Sequence, residues 1–178
     1  TTTIEDCRFT RLYQGIHQDY VINGVISRCQ FTECTNGIRC SEGGGGYTSL
    51  RECRFYGDDP NGVAYWFVES GGAVENCVVE GFRAKYAVRL GSDSTSAGFV
   101  KVSQLHIECP VHYAFRLKQI RYASFALDGL VMSYPMCLFD STDSTDSTIY
   151  RFHNIYDLNA IMGLTSWSAT SFSKYSRV

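Results

Sequence analysis

The sequence has little proline, with three in 178 residues. No apolar run approaches the roughly 20 residues that cross a bilayer, so membrane insertion is not expected. Neither charge sign dominates: 16 basic and 18 acidic residues give a formal charge of −2. A nucleic-acid partner needs a cationic footprint and is therefore not expected either. Long Ala/Leu/Glu/Lys stretches with helical spacing are missing, which argues against an α-rich chain. No pair of cysteines is spaced CxxC, which argues against a zinc knuckle. The opening residues Thr1, Thr2, Thr3 and Ile4 lack the basic and apolar regions of a signal peptide. They also begin inside a pattern that recurs later, so a piece of a longer chain is expected.

What is present favours strands. Hydrophobic residues make up 44% of the chain, enough for a sizeable core in one domain. Twelve Tyr and eleven Phe supply β-formers. Eight cysteines (Cys7, Cys29, Cys34, Cys40, Cys53, Cys77, Cys109 and Cys137) invite a disulfide reading, but a chain of this length needs no staples. Their spacing says more. Cys7 to Cys29 is 22 residues, Cys29 to Cys53 is 24 and Cys53 to Cys77 is 24. One structural position repeated in space produces such a series, and buried free thiols suit it.

Aligning the chain on those cysteines exposes the repeat. An aliphatic residue sits three positions before each (Ile4, Ile26, Leu50, Val74), and Phe9, Phe31, Phe55 or Val79 sits two after. The apolar phase slips by one residue between the aliphatic position and the cysteine. A strand, a tight bend and a second strand explain the slip, because strand side chains alternate with period two. Looser copies place the key position at Leu105, Leu130 and Ile155, in steps of 28, 25 and 25. A second motif follows each first one: Gly15–Ile16, Gly37–Ile38, Gly62–Val63, Ala87–Val88 and Ala114–Phe115. Three short strands per unit and no helix between them read as an all-β solenoid.

The recurring Ile-x-x-Cys-x-Phe followed by Gly-Ile resembles the right-handed parallel β-helix of pectate-lyase-like proteins. The resemblance covers residues 1–165, about seven coils, and leaves 166–178 as a cap or tail. At about 4.8 Å per strand such a rod is roughly 30–35 Å long. It implies either a polysaccharide lyase or hydrolase, or a bacteriophage tailspike or tail-fibre domain. Free periodic cysteines, abundant Tyr and Ser and the missing secretory signal favour the second. That reading implies a homotrimer in the virion tail, made in the host cytoplasm and contributing to recognition of a cell-surface polysaccharide. A purely structural virion component is a further alternative.

Loops punctuate the coils at Ser41–Gly46, Gly57–Gly62, Gly91–Ser96 and the Asp140–Thr148 triplet repeat. The triplet spacing does not match EF-hand ligands, so it reads as a solvated loop. Residues 41–47, 91–98 and 140–148 are expected to project from the rod.

In the second motif the residue after each apolar one points outward. Those residues are His17, Arg39, Arg89 and Arg116; in the third unit Ala64 follows Val63 and Trp66 is outward two residues on. The result is a ladder suited to an acidic glycan, with arginines on carboxylates and Trp66 stacking on a sugar face. A solvated face or subunit interface is the alternative. Glu42, Glu69, Asp93 and Asp140 fall just past the same strand. Glycoside cleavage needs two carboxylates, so Glu42 and Glu69 are the catalytic candidates, with turn chemistry as their alternative. Arg116–Leu117–Lys118 resembles the Arg-Ile-Lys of polygalacturonases, but the partner motifs of that family are missing. His17, His106, His112 and His153 lie in different coils without metal-ligand spacing. No metal or cofactor is expected.

Overall fold

The computed structural model describes residues 2–19, 21–41, 46–68, 70–80, 84–91, 98–108, 111–118, 124–132, 137–143 and 149–157. Among them every regular element is a strand. The first coil holds β1 (Thr2–Glu5), β2 (Arg8–Thr10) and β3 (Gln14–Asp19). The second holds β4 (Asn23–Ser27), β5 (Gln30–Thr32) and β6 (Asn36–Ser41). The third holds β7 (Tyr47–Arg51), β8 (Arg54–Tyr56) and β9 (Val63–Phe67). The fourth holds β10 (Gly71–Glu75), β11 (Val78–Glu80) and β12 (Ala84–Leu90). In the fifth the first two legs join as β13 (Val100–Glu108), followed by β14 (Val111–Lys118). Then come β15 (Ser124–Met132), β16 (Cys137–Asp143) and β17 (Ile149–Asp157).

Each strand pairs in parallel with its equivalent one coil away, so the chain is a parallel β-solenoid. The first two legs form one sheet and β3, β6, β9, β12, β14 and β16 form the second. The register follows the sequence repeat. Ile4, Ile26, Leu50, Val74, Val102, Leu127 and Phe152 occupy one column. Leu105 pairs with Leu130, which pairs with Ile155.

The phase slip has a backbone cause. Asp6, Arg28, Glu52, Asn76 and Gln104 all adopt left-handed φ between 52° and 55°. Such a residue costs about 1–2 kcal/mol when it is not glycine. The bend leaves no donor orphaned, because Arg28 N donates to Arg51 O at 2.9 Å and Glu52 N to Glu75 O at 3.0 Å. It also turns the next residue inward. Cys29, Cys53 and Cys77 are fully buried free thiols. Cys7 continues their column in the first coil and is exposed.

Two positions later the Phe column fills the interior. Phe31 and Phe55 are fully buried, and Phe9 stacks on Phe31 with ring centroids 5.0 Å apart. This column explains the glycines that open the second motif. A Cβ on Gly15 would meet the Phe31 ring at 2.5 Å, and one on Gly37 would meet Ala64 O at 2.5 Å and Phe55 at 2.8 Å.

Two sequence expectations need correction. Gly62–Val63 is not the third copy of Gly-Ile: Val63 pairs with Asn36, and Tyr65 takes the level of Ile38. From Phe55 to Tyr65 is ten residues, against seven from Phe31 to Ile38, so the Gly57–Gly62 turn adds three. Asp140 lies in β16 rather than in a loop, because pairing with β14 extends from Cys137 to Asp143. Ser41 likewise ends β6. Residues 42–45, 92–97, 144–148 and the tail 158–178 lie outside the described residues.

Candidate functional site

The second sheet carries one outward column across its strands. His17 pairs with Arg39, Arg39 with Trp66, Trp66 with Arg89, Arg89 with Arg116, and Arg116 with Asp140. The register therefore brings all five ladder residues into line, including Trp66 despite the shifted third copy. From Arg39 to Arg116 is three strand steps, about 14 Å at the usual spacing.

Trp66 organises the column. Arg39 and Arg89 come from the strands flanking β9, with guanidinium carbons 4.6 Å and 4.0 Å from the Trp66 ring centroid. Each is a cation–π contact, and the indole stands between two cations. Its Nε1 donates to Gly91 O at 2.9 Å, which fixes the ring. A sugar stacked on either face of Trp66 would have to displace an arginine. Arg116 turns to Tyr86 instead, donating from Nη1 to the hydroxyl at 2.7 Å, with Cζ 5.3 Å from that ring. The sequence reading missed Tyr86, which is buried.

At the other end His17 is already engaged. Its Nε2 lies 2.7 Å from Ser41 Oγ and 3.1 Å from Asp19 Oδ1. The Ser41 hydroxyl also donates to that carboxylate. Serine, histidine and aspartate meet here, but not as a nucleophilic relay. A relay needs the carboxylate on Nδ1 and the serine on Nε2, whereas both partners here crowd Nε2. Asp19 and Ser41 were missed because their meeting depends on register across coils.

In the first sheet several cations meet carboxylates on a neighbouring coil. Arg28 grips Asp6 with two bonds of 2.7 Å and 2.8 Å and lies 3.6 Å from Glu5. The hydrogen bond from Arg28 holds the Asp6 carboxyl below its ordinary range. Arg51 reaches Glu75 at 3.2 Å, and Arg11 reaches Glu33 at 2.6 Å. In the second sheet Arg39, Arg89 and Arg116 share a column with two aromatic neighbours, and Arg39 meets no carboxylate among the described residues. Like charges on adjacent strands are destabilising.

The two catalytic candidates, Glu42 and Glu69, lie outside the described residues, as does Asp93. Asp140 holds the register position opposite Arg116. Of the other histidines, His106 lies 3.0 Å from Glu108, while the side chains of His112 and His153 lie outside the described residues. No cluster of metal-ligating side chains occurs among the described residues.

No family model, curated protein or solved structure matches this chain. The geometry defines a parallel β-solenoid whose second sheet carries a column of three arginines, two of them flanking Trp66.

Proposed function

We propose that this solenoid recognises an acidic glycan along the Arg39–Trp66–Arg89–Arg116 column. The observation that carries the reading is the pair of arginines, Arg39 and Arg89, held against the Trp66 ring from the two flanking strands, with Arg116 next in the same column. An arginine held by its face keeps its N–H fork in the plane, where a carboxylate accepts from it. Trp66 thus orders the arginines in advance and reduces the entropy lost on binding. Its part in recognition is to space and orient cations.

The setting that fits is a bacteriophage tailspike or tail fibre, with a cell-surface polysaccharide as partner. A rigid solenoid with recognition groups at fixed axial intervals supports that setting. Whether the glycan is also cut turns on Glu42 and Glu69. Incubation with an acidic polysaccharide such as alginate tests both parts. Arg89→Ala/Arg116→Ala should weaken binding and leave the fold intact. Glu42→Gln/Glu69→Gln should leave both binding and the absence of products unchanged. Product formation by the parent chain that this pair abolishes would establish the lyase or hydrolase instead.

A further inference from the structure

A second surface carries a different chemistry. At the left-handed bend of the first sheet two side-chain columns run side by side. One holds the bend residues Arg28, Glu52 and Asn76; the other holds Gln30, Arg54 and Val78, two positions later. Together they line an open groove of about 530 Å³. It crosses the second, third and fourth coils, and every lining residue but the half-buried Val78 is exposed.

The charge of this groove is balanced. Arg28 is neutralised by Asp6 at 2.7 Å and Glu5 at 3.6 Å. The remaining ionic groups are Arg54 and Glu52, one of each sign. An anion gains nothing here that Glu52 does not oppose. Gln30 and Asn76 each carry an amide that both donates and accepts. Val78 is the single aliphatic lining residue, and no aromatic ring lines the groove. A peptide would find no apolar pocket to anchor a side chain. It would find no strand edge either, because β5, β8 and β11 are already paired with one another. A ligand rich in hydroxyls matches the mixture, since each hydroxyl donates and accepts.

We propose that this groove binds a neutral glycan chain lying along the direction of coil stacking, as a second site separate from the arginine column. Occupancy would pair Gln30, Asn76, Glu52 and Arg54 with sugar hydroxyls, so that the polar groups it covers keep hydrogen-bond partners. One solenoid would then read two features of a surface polysaccharide: charge on the second sheet and hydroxyl pattern at the bend.

The test is a titration of nitrogen-15-labelled protein with short neutral hexose and N-acetylhexosamine oligosaccharides, and separately with alginate oligomers and an extended peptide. The side-chain amide signals of Gln30 and Asn76 are assigned through Gln30→Ala and Asn76→Ala. A neutral oligosaccharide should shift both amides, and Arg54→Ala should weaken that binding about tenfold, the worth of one charge-assisted hydrogen bond. Alginate should leave both amides in place. The proposal is overturned if no neutral oligosaccharide moves them, if alginate or the peptide moves them, or if Arg54→Ala binds as tightly as the parent. Alginate binding scored against Arg89→Ala in the same series keeps failure here distinct from failure of the arginine column.

Discussion

Arg89 stands one strand from Trp66, with its guanidinium carbon 4.0 Å from the centre of the indole ring. Arg39 holds the flanking strand on the other side at 4.6 Å. A cation over a ring contributes about 0.5–1 kcal/mol when exposed and about 2 when desolvated. Trp66→Ala removes both contacts and the indole bond to Gly91. It should cost about 2–4 kcal/mol in urea unfolding, with Trp66→Phe costing clearly less. Equal losses in the two variants would contradict a stabilising role for an aromatic ring between the two arginines.

The Phe column should dominate stability. Phe31 is fully buried and packs between coils, whereas Phe9 is only partly buried in the first coil. Phe31→Ala should therefore cost about 3–5 kcal/mol, and Phe9→Ala substantially less. Equal costs in denaturant unfolding would mean that the two rings are buried alike.

The bend sets a backbone test. Glu52 has φ 54°. A β-branched side chain is a severe outlier there, while Asn tolerates it. Glu52→Val should lower stability by about 1–2 kcal/mol, and Glu52→Asn should hold or raise it. Thermal unfolding of the two variants measures the difference.

The buried thiols set an alkaline limit. Burial pushes Cys40 up to about 12 and Cys29 up to about 11, from an ordinary value of 9.0. In the unfolded chain these thiols ionise near 9, while in the folded chain they stay neutral. Their contribution is therefore whole below pH 9 and is lost as pH rises toward 11 and 12. Cys40→Ala should flatten the decline in stability above pH 9. At neutral pH a thiol reagent should label Cys7 well before Cys29, Cys53 or Cys77. Rapid labelling of Cys53 in the folded chain would contradict the column.

Much of this fold was legible because a solenoid repeats its instructions. The slip between Ile26 and Cys29 encodes the left-handed bend at Arg28. Copies at Leu105 and Leu130 held without cysteine because a column asks only for apolar bulk. The outward ladder was legible for the same reason. What failed was local length: the turn before β9 adds residues without a signature, so Gly62–Val63 imitated a motif two residues early. Contacts between side chains were not legible either. Nothing in sequence spacing says that Trp66 meets Arg39 and Arg89, or that Ser41 and Asp19 share His17. Nor does periodicity reveal a groove, since the columns of Arg28 and Gln30 look like ordinary solvated positions.

The most direct test of the arginine column is alginate binding at low and high salt, measured for the parent chain and for Arg39→Ala/Arg89→Ala. Exposed charge-assisted contacts weaken as salt screens them. The parent should bind more weakly at high salt, and the double variant should bind at least about tenfold more weakly at low salt, with its salt dependence flattened. Equal affinity and equal salt dependence in the two proteins would contradict the account.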